Sequence, residues 1–169
     1  MIRFIFDSFG DSHNDIFIKF DVGISGNKLQ VADFYFIPDF LNFESDIENT
    51  VEWKEKCFET FLEHLIGLIN QNLDKTYLIF GLFDQGVSAI KLEKFIKNKV
   101  LWYKTSIVHS HQNYGWSMSH KIEQDEFIDF DWNEIDKNYW EITKDGIIKG
   151  LQWSIEYLRC KKPTIEWQV

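Results

Sequence analysis

A change of hydrophobic period constrains this chain's fold more than any other feature. Between residues 50 and 73, apolar side chains recur at Val51, Phe58, Phe61, Leu62, Leu65, Leu68, Ile69 and Leu73. Spacings of three, four and seven place them on one face of a helix. Thr50 supplies a capping hydroxyl, and Glu48, Glu52 and Glu55 suit the positive end of the helix dipole. Before residue 40 the period is two. Residues 3–6 form a short apolar run, and Ile16, Ile18, Phe20 and Val22 alternate onto one face. Residues 29–37 follow, with Pro38 closing them. Turn chemistry at residues 10–14 and 23–28 separates these runs, which predicts a three-strand meander.

After the helix, strand patterns return at residues 77–83, 87–92, 100–108 and 114–122. An irregular stretch, 123–139, follows. Ile147, Ile148, Leu151, Ile155 and Leu158 then take helical spacing over 145–160, with Pro163 beyond as a stop. Clustered strands with short connections predict an α+β fold: a single domain, 1–169, with antiparallel sheet(s) of about seven strands, one long central helix and one C-terminal helix. This order resembles the Whirly family of single-strand-binding proteins, which repeats four strands and a helix twice. The resemblance implies nucleic-acid binding. The net charge of −9 opposes that reading, because phosphates call for a basic surface. The five lysines 91, 94, 97, 99 and 104, interrupted only by Glu93, are the one local exception; on strands they also protect an edge against aggregation.

No apolar run approaches the length of a membrane span; the longest, 77–83, has seven residues. The first residues turn acidic too early for a signal peptide. Cys57 and Cys160 fall in helical stretches and read as reduced thiols, with a single disulfide between them as the alternative. A soluble cytoplasmic protein, monomeric or weakly dimeric and without cofactor, is the expectation.

Charge placement is the strongest functional signal. Residues 123–136 hold seven carboxylates and no base, which is most of the net charge. Phe127, Phe130 and Trp132 are interleaved with them. Crowded like charges repel unless water or a basic partner surrounds them. Carboxylates accelerate encounter, and aromatics supply desolvated anchors. Glu123, Asp125, Glu126, Asp129, Asp131, Trp132, Glu134 and Asp136 are therefore the candidate partner-binding residues; a solvated acidic loop with its aromatics tucked inward is the bland alternative. A second acidic group, Asp39, Glu44, Asp46, Glu48 and Glu52, is explained locally by the helix start, with a role in binding as the alternative.

Catalytic signals are incomplete. His109 and His111 are two apart, hence on one face if the segment is a strand, and His120 follows, but zinc needs three or four ligands, no carboxylate or cysteine lies at matching short spacing, and a plain polar turn is the alternative. No metal site is expected on that count. The loop Gly10-Asp11-Ser12-His13-Asn14-Asp15 contains an Asp-x-His that resembles the opening motif of calcineurin-like metallophosphoesterases, and His109-Ser110-His111 resembles their closing one. That family's Gly-Asp pair and its Gly-Asn-His or Gly-Asn-Asp element are missing, since Gly26-Asn27 is followed by Lys28. Phosphate-loop, nucleophile-elbow, His-Glu-x-x-His and dinucleotide motifs do not occur either. No catalytic residues are assigned.

A small, acidic, aromatic-rich chain without catalytic motifs resembles, in size, charge and composition, the immunity proteins of bacterial toxin systems. That resemblance implies a binding protein that occludes a cognate basic toxin domain, such as a nuclease. A single-strand nucleic-acid binder and a metal-dependent phosphoesterase are the alternatives.

Overall fold

The computed structural model describes residues 1–11, 13–21, 27–43, 50–83, 86–111, 130–135 and 139–160. These form an α+β fold with two antiparallel sheets. The first contains β1 (Ile2–Phe6), β2 (Ile16–Asp21) and β3 (Asn27–Ala32), in that order. Alternation puts Ile2, Phe4, Phe6, Ile16, Ile18 and Phe20 on its buried face, as the period-two pattern requires.

Residues 33–37 depart from the expected strand. Asp33 accepts the Asn14 N–H through its carboxylate (2.7 Å), and the Phe34 N–H donates to Asp15 Oδ1 (3.0 Å). Side chains thus claim groups that a strand ladder would need. The chain turns into a short helix, α1 (Ile37–Leu41), which carries Pro38 in its first turn instead of ending a strand there.

Helix α2 (Val51–Asn70) begins at Thr50, whose Oγ1 accepts the Trp53 N–H at 3.1 Å. Its apolar face packs onto the first sheet through aromatic rings: Phe58 lies 4.7 Å from Phe6, and Phe61 meets Phe4 edge-on at 6.4 Å. Lys54, also buried on that helix, donates to the Gly10 carbonyl at 2.8 Å.

The second sheet has β4 (Lys75–Phe83), β5 (Gly86–Lys97) and β6 (Val100–Ser110) as its frame. The β5–β6 hairpin is longer at both ends than the pattern of residues 87–108 implies. It turns through Asn98 and Lys99, both with positive φ (54° and 63°), the geometry of a two-residue hairpin turn. The far edge of β6 is shared by β7 (Asn133–Glu134), within the stretch expected to be irregular, and β8 (Trp140–Thr143). The expected strand at 114–122 and the stop at Pro163 lie outside the described residues.

Helix α3 (Lys144–Cys160) closes the free edge of β1. Gly150 leaves no room for a Cβ beside the Ile2 carbonyl, and one turn later Ser154 Oγ accepts the Phe4 N–H at 2.8 Å. An edge strand that would otherwise present bare backbone is thereby covered. Buried residues from both sheets and from α2 and α3 form one hydrophobic core. Among the described residues, no helix is long and apolar enough to cross a membrane.

Candidate functional site

Three of the eight candidate partner-binding residues are described: Asp131, Trp132 and Glu134. Glu123, Asp125, Glu126, Asp129 and Asp136 lie outside the described residues. Trp132 does not stand out as a bare anchor. Its ring stacks on Tyr77 of β4 at 4.9 Å and 12°, and Phe130 tilts against it at 5.6 Å. Glu134 pairs with Val108 through the β7–β6 ladder and comes within 4.0 Å of Lys91 Nζ, which also meets Glu93 at 3.0 Å. Glu134 and Lys91 therefore lie on one face of the second sheet.

On that sheet the lysines meet the chain's own acids and rings. Lys94 pairs with Asp74 (2.7 Å) and donates to the Asn72 carbonyl. Lys97 pairs with Glu141 (2.6 Å) and lies over the Trp102 ring, while Lys104 sits 4.2 Å from the Tyr139 ring centroid. A surface that tracks phosphates needs ammonium groups facing outward together; four of these five lysines are instead engaged within the fold, and Lys99 occupies the hairpin turn.

A second cluster of glutamates among the described residues lies elsewhere. Glu52, Glu55, Lys56 and Glu59 of α2, with Leu158 and Arg159 of α3, line an open cleft of about 250 Å³. Arg159 donates to Glu59 at 2.6 Å, and Glu59, Glu63 and Glu156 together raise the Arg159 pKa, the Glu59 bond most. Glu55 also accepts the Ser8 hydroxyl at 3.0 Å. Of the second acidic group, Asp39 is in the first turn of α1 and Glu52 in that of α2; Glu44, Asp46 and Glu48 lie outside the described residues. The sequence signal for this cleft was present in the helical spacing of residues 52, 55, 59 and 63. What was not legible is that α3 lies beside α2 and adds Glu156 and Arg159.

Other chemistry-bearing groups are accounted for as follows. Asp15 is 3% exposed. Burial raises its pKa, while the Phe34 N–H and Lys54 work in the opposite direction. The Asp7 N–H donates to the Asp15 carbonyl at 2.8 Å, and the Gly10 N–H to the Asp7 carbonyl at 3.1 Å. Burial pushes the Cys57 thiol up to about 12, so at neutral pH it carries no thiolate to act as a nucleophile. Cys57 and Cys160 are both free, the second exposed. His109 Nδ1 is 3.0 Å from Ser88 Oγ, and its Nε2 is 3.4 Å from His111 Nδ1. Burial first and His111 second lower the His109 pKa. His120 lies outside the described residues. Among the described residues, no group of three or more His, Cys, Asp or Glu side chains is placed to hold a metal ion.

No protein-family model, curated protein or solved structure matches this chain.

Proposed function

We propose that this chain is a non-catalytic binding protein that neutralises a basic protein partner in the cytoplasm, after the manner of toxin-system immunity proteins. The observation that carries the reading is the α2–α3 cleft. Three glutamates line it against one lysine and one arginine, with Leu158 as an apolar contact; Glu63 and Glu156 extend the negative field along both helices. Such a surface steers a cationic partner into encounter, and the rate gain falls with salt. The carboxylates Glu123, Asp125, Glu126, Asp129, Asp131, Glu134 and Asp136 belong to the same reading as a second partner-facing group. Trp132 takes a supporting part in it, holding that segment against Tyr77 instead of inserting into the partner.

The two surfaces separate by mutation. The chain is co-expressed with the product of its adjacent reading frame, provided that product is a basic toxin domain, and growth rescue is scored. Association is measured with the purified pair at low and physiological salt. Glu55→Lys with Glu59→Lys is expected to slow association at least tenfold and weaken rescue, and Asp131→Lys to do so less. Rescue and rates unchanged by both sets would refute a role for negative potential. A labelled single-stranded oligonucleotide retained at physiological salt would transfer the reading to nucleic-acid binding.

A further inference from the structure

At one end of the β5–β6 hairpin lies a pair of ring nitrogens that the partner reading does not use. His109 is held on β6 opposite Ser88, with its Nδ1 3.0 Å from the Ser88 hydroxyl. When that nitrogen carries the proton and donates to Ser88, the lone pair of His109 falls on Nε2. Two residues along, just past the end of β6, His111 brings its Nδ1 to 3.4 Å from that Nε2.

This separation is long for a direct N–H···N bond, which prefers about 2.9–3.0 Å. It matches a different geometry. Zinc–nitrogen bonds of about 2.0–2.1 Å opened to the tetrahedral angle place two imidazole nitrogens about 3.4 Å apart. A right-angled bite with the same bonds would bring them to about 2.9 Å.

Two more features shape the spot. Gly86 lies beside the His109 ring: a Cβ there would clash first with the Ser110 carbonyl oxygen and then come 2.9 Å from Nε2 and 3.0 Å from Cε1, so this close backbone approach requires glycine. The Ser88 hydroxyl is the outer partner that metal-bound histidines ordinarily have, fixing tautomer and ring direction. The rings cross at 77° with centroids 4.3 Å apart, and His111 is the exposed one of the pair.

We propose that His109 Nε2 and His111 Nδ1 form a two-point chelate for a zinc ion, with Ser88 as the orienting residue. Among the described residues no third ligand is placed beside them, and water fills the remaining positions. Two imidazoles, one on β6 and one just past its end, supply the borderline-soft nitrogen donors that zinc accepts, and a two-ligand site corresponds to binding in the micromolar range rather than to a permanent structural metal.

The test uses the full chain titrated with zinc chloride, followed by calorimetry and by nitrogen NMR of the histidine rings. The expected result is one equivalent bound, with the signals of His109 Nε2 and His111 Nδ1 shifted. His111→Ala, at an exposed position, is expected to weaken binding at least tenfold without lowering Tm. Ser88→Ala is expected to lose about tenfold, the usual effect of removing an outer-shell partner. No heat and no ring shift at millimolar zinc overturns the chelate. So does a His111→Ala variant that binds as tightly as the parent, or shifts confined to other histidines.

Discussion

Ser154 and Tyr103 are two buried hydroxyl residues whose surroundings differ in one respect. Ser154 Oγ accepts the Phe4 N–H (2.8 Å) and donates to the Gly150 carbonyl (2.9 Å). The Tyr103 hydroxyl is buried with no hydrogen-bond partner among the described residues, and burial raises its pKa. Removing the first hydroxyl strands a backbone N–H at a covered sheet edge, which costs about 1–3 kcal/mol. Removing the second relieves a desolvated group and leaves the ring packing in place. Ser154→Ala is therefore expected to destabilise by about 1–3 kcal/mol, and Tyr103→Phe to stabilise by up to about 1 kcal/mol. Urea unfolding of both variants beside the parent checks the pair. Equal losses in the two would mean that the Tyr103 hydroxyl finds a partner in solution.

Among the elements, α2 was readable from sequence because its signals agree. The apolar stripe, the Thr50 cap and the acidic first turn all point to one helix, and the observed bounds depart from the pattern only at the C-terminal end. The stretch 33–37 was misread because what bends it is distant: Asp15 and Asn14, nineteen residues away, make the bonds that remove it from the sheet. The candidate site was legible in the same uneven way. Charge in 123–136 is plain in the sequence, but the stacking of Trp132 on a ring 55 positions earlier is a tertiary fact without a local signal. The hairpin turn offers a test at this scale. Lys99 sits at φ 63°, a conformation that costs a residue with a Cβ roughly 1 kcal/mol or more and costs glycine little. Its exposure leaves no packing to lose. Lys99→Gly should raise stability by about 0.5–1 kcal/mol, offset in part by the greater freedom of glycine in the unfolded chain. A fall in the denaturation midpoint would show that the lysine makes a compensating contact.

For the molecule as a whole, the question is whether two sheets joined by helices unfold together. Phe20 of β2 meets Trp140 of β8 edge-on, ring centres 5.0 Å apart, and so bridges the sheets directly. On the other side, α2 presses Phe58 and Phe61 against Phe6 and Phe4 while contributing to the same buried core as Leu78 and Ile90 of the second sheet. Neither sheet can shed this aromatic layer without exposing the other, so one cooperative transition is the physical expectation. Native-state hydrogen exchange reads it amide by amide. The slowest amides of β2 and of β5 should report the same opening free energy. Phe20→Ala, which removes a fully buried ring, should lower both by the same amount, about 3–5 kcal/mol. A drop confined to β2, with β5 unchanged, would divide the molecule into two units that fold separately, and the bridge between Phe20 and Trp140 would then be a contact between modules instead of part of a shared core.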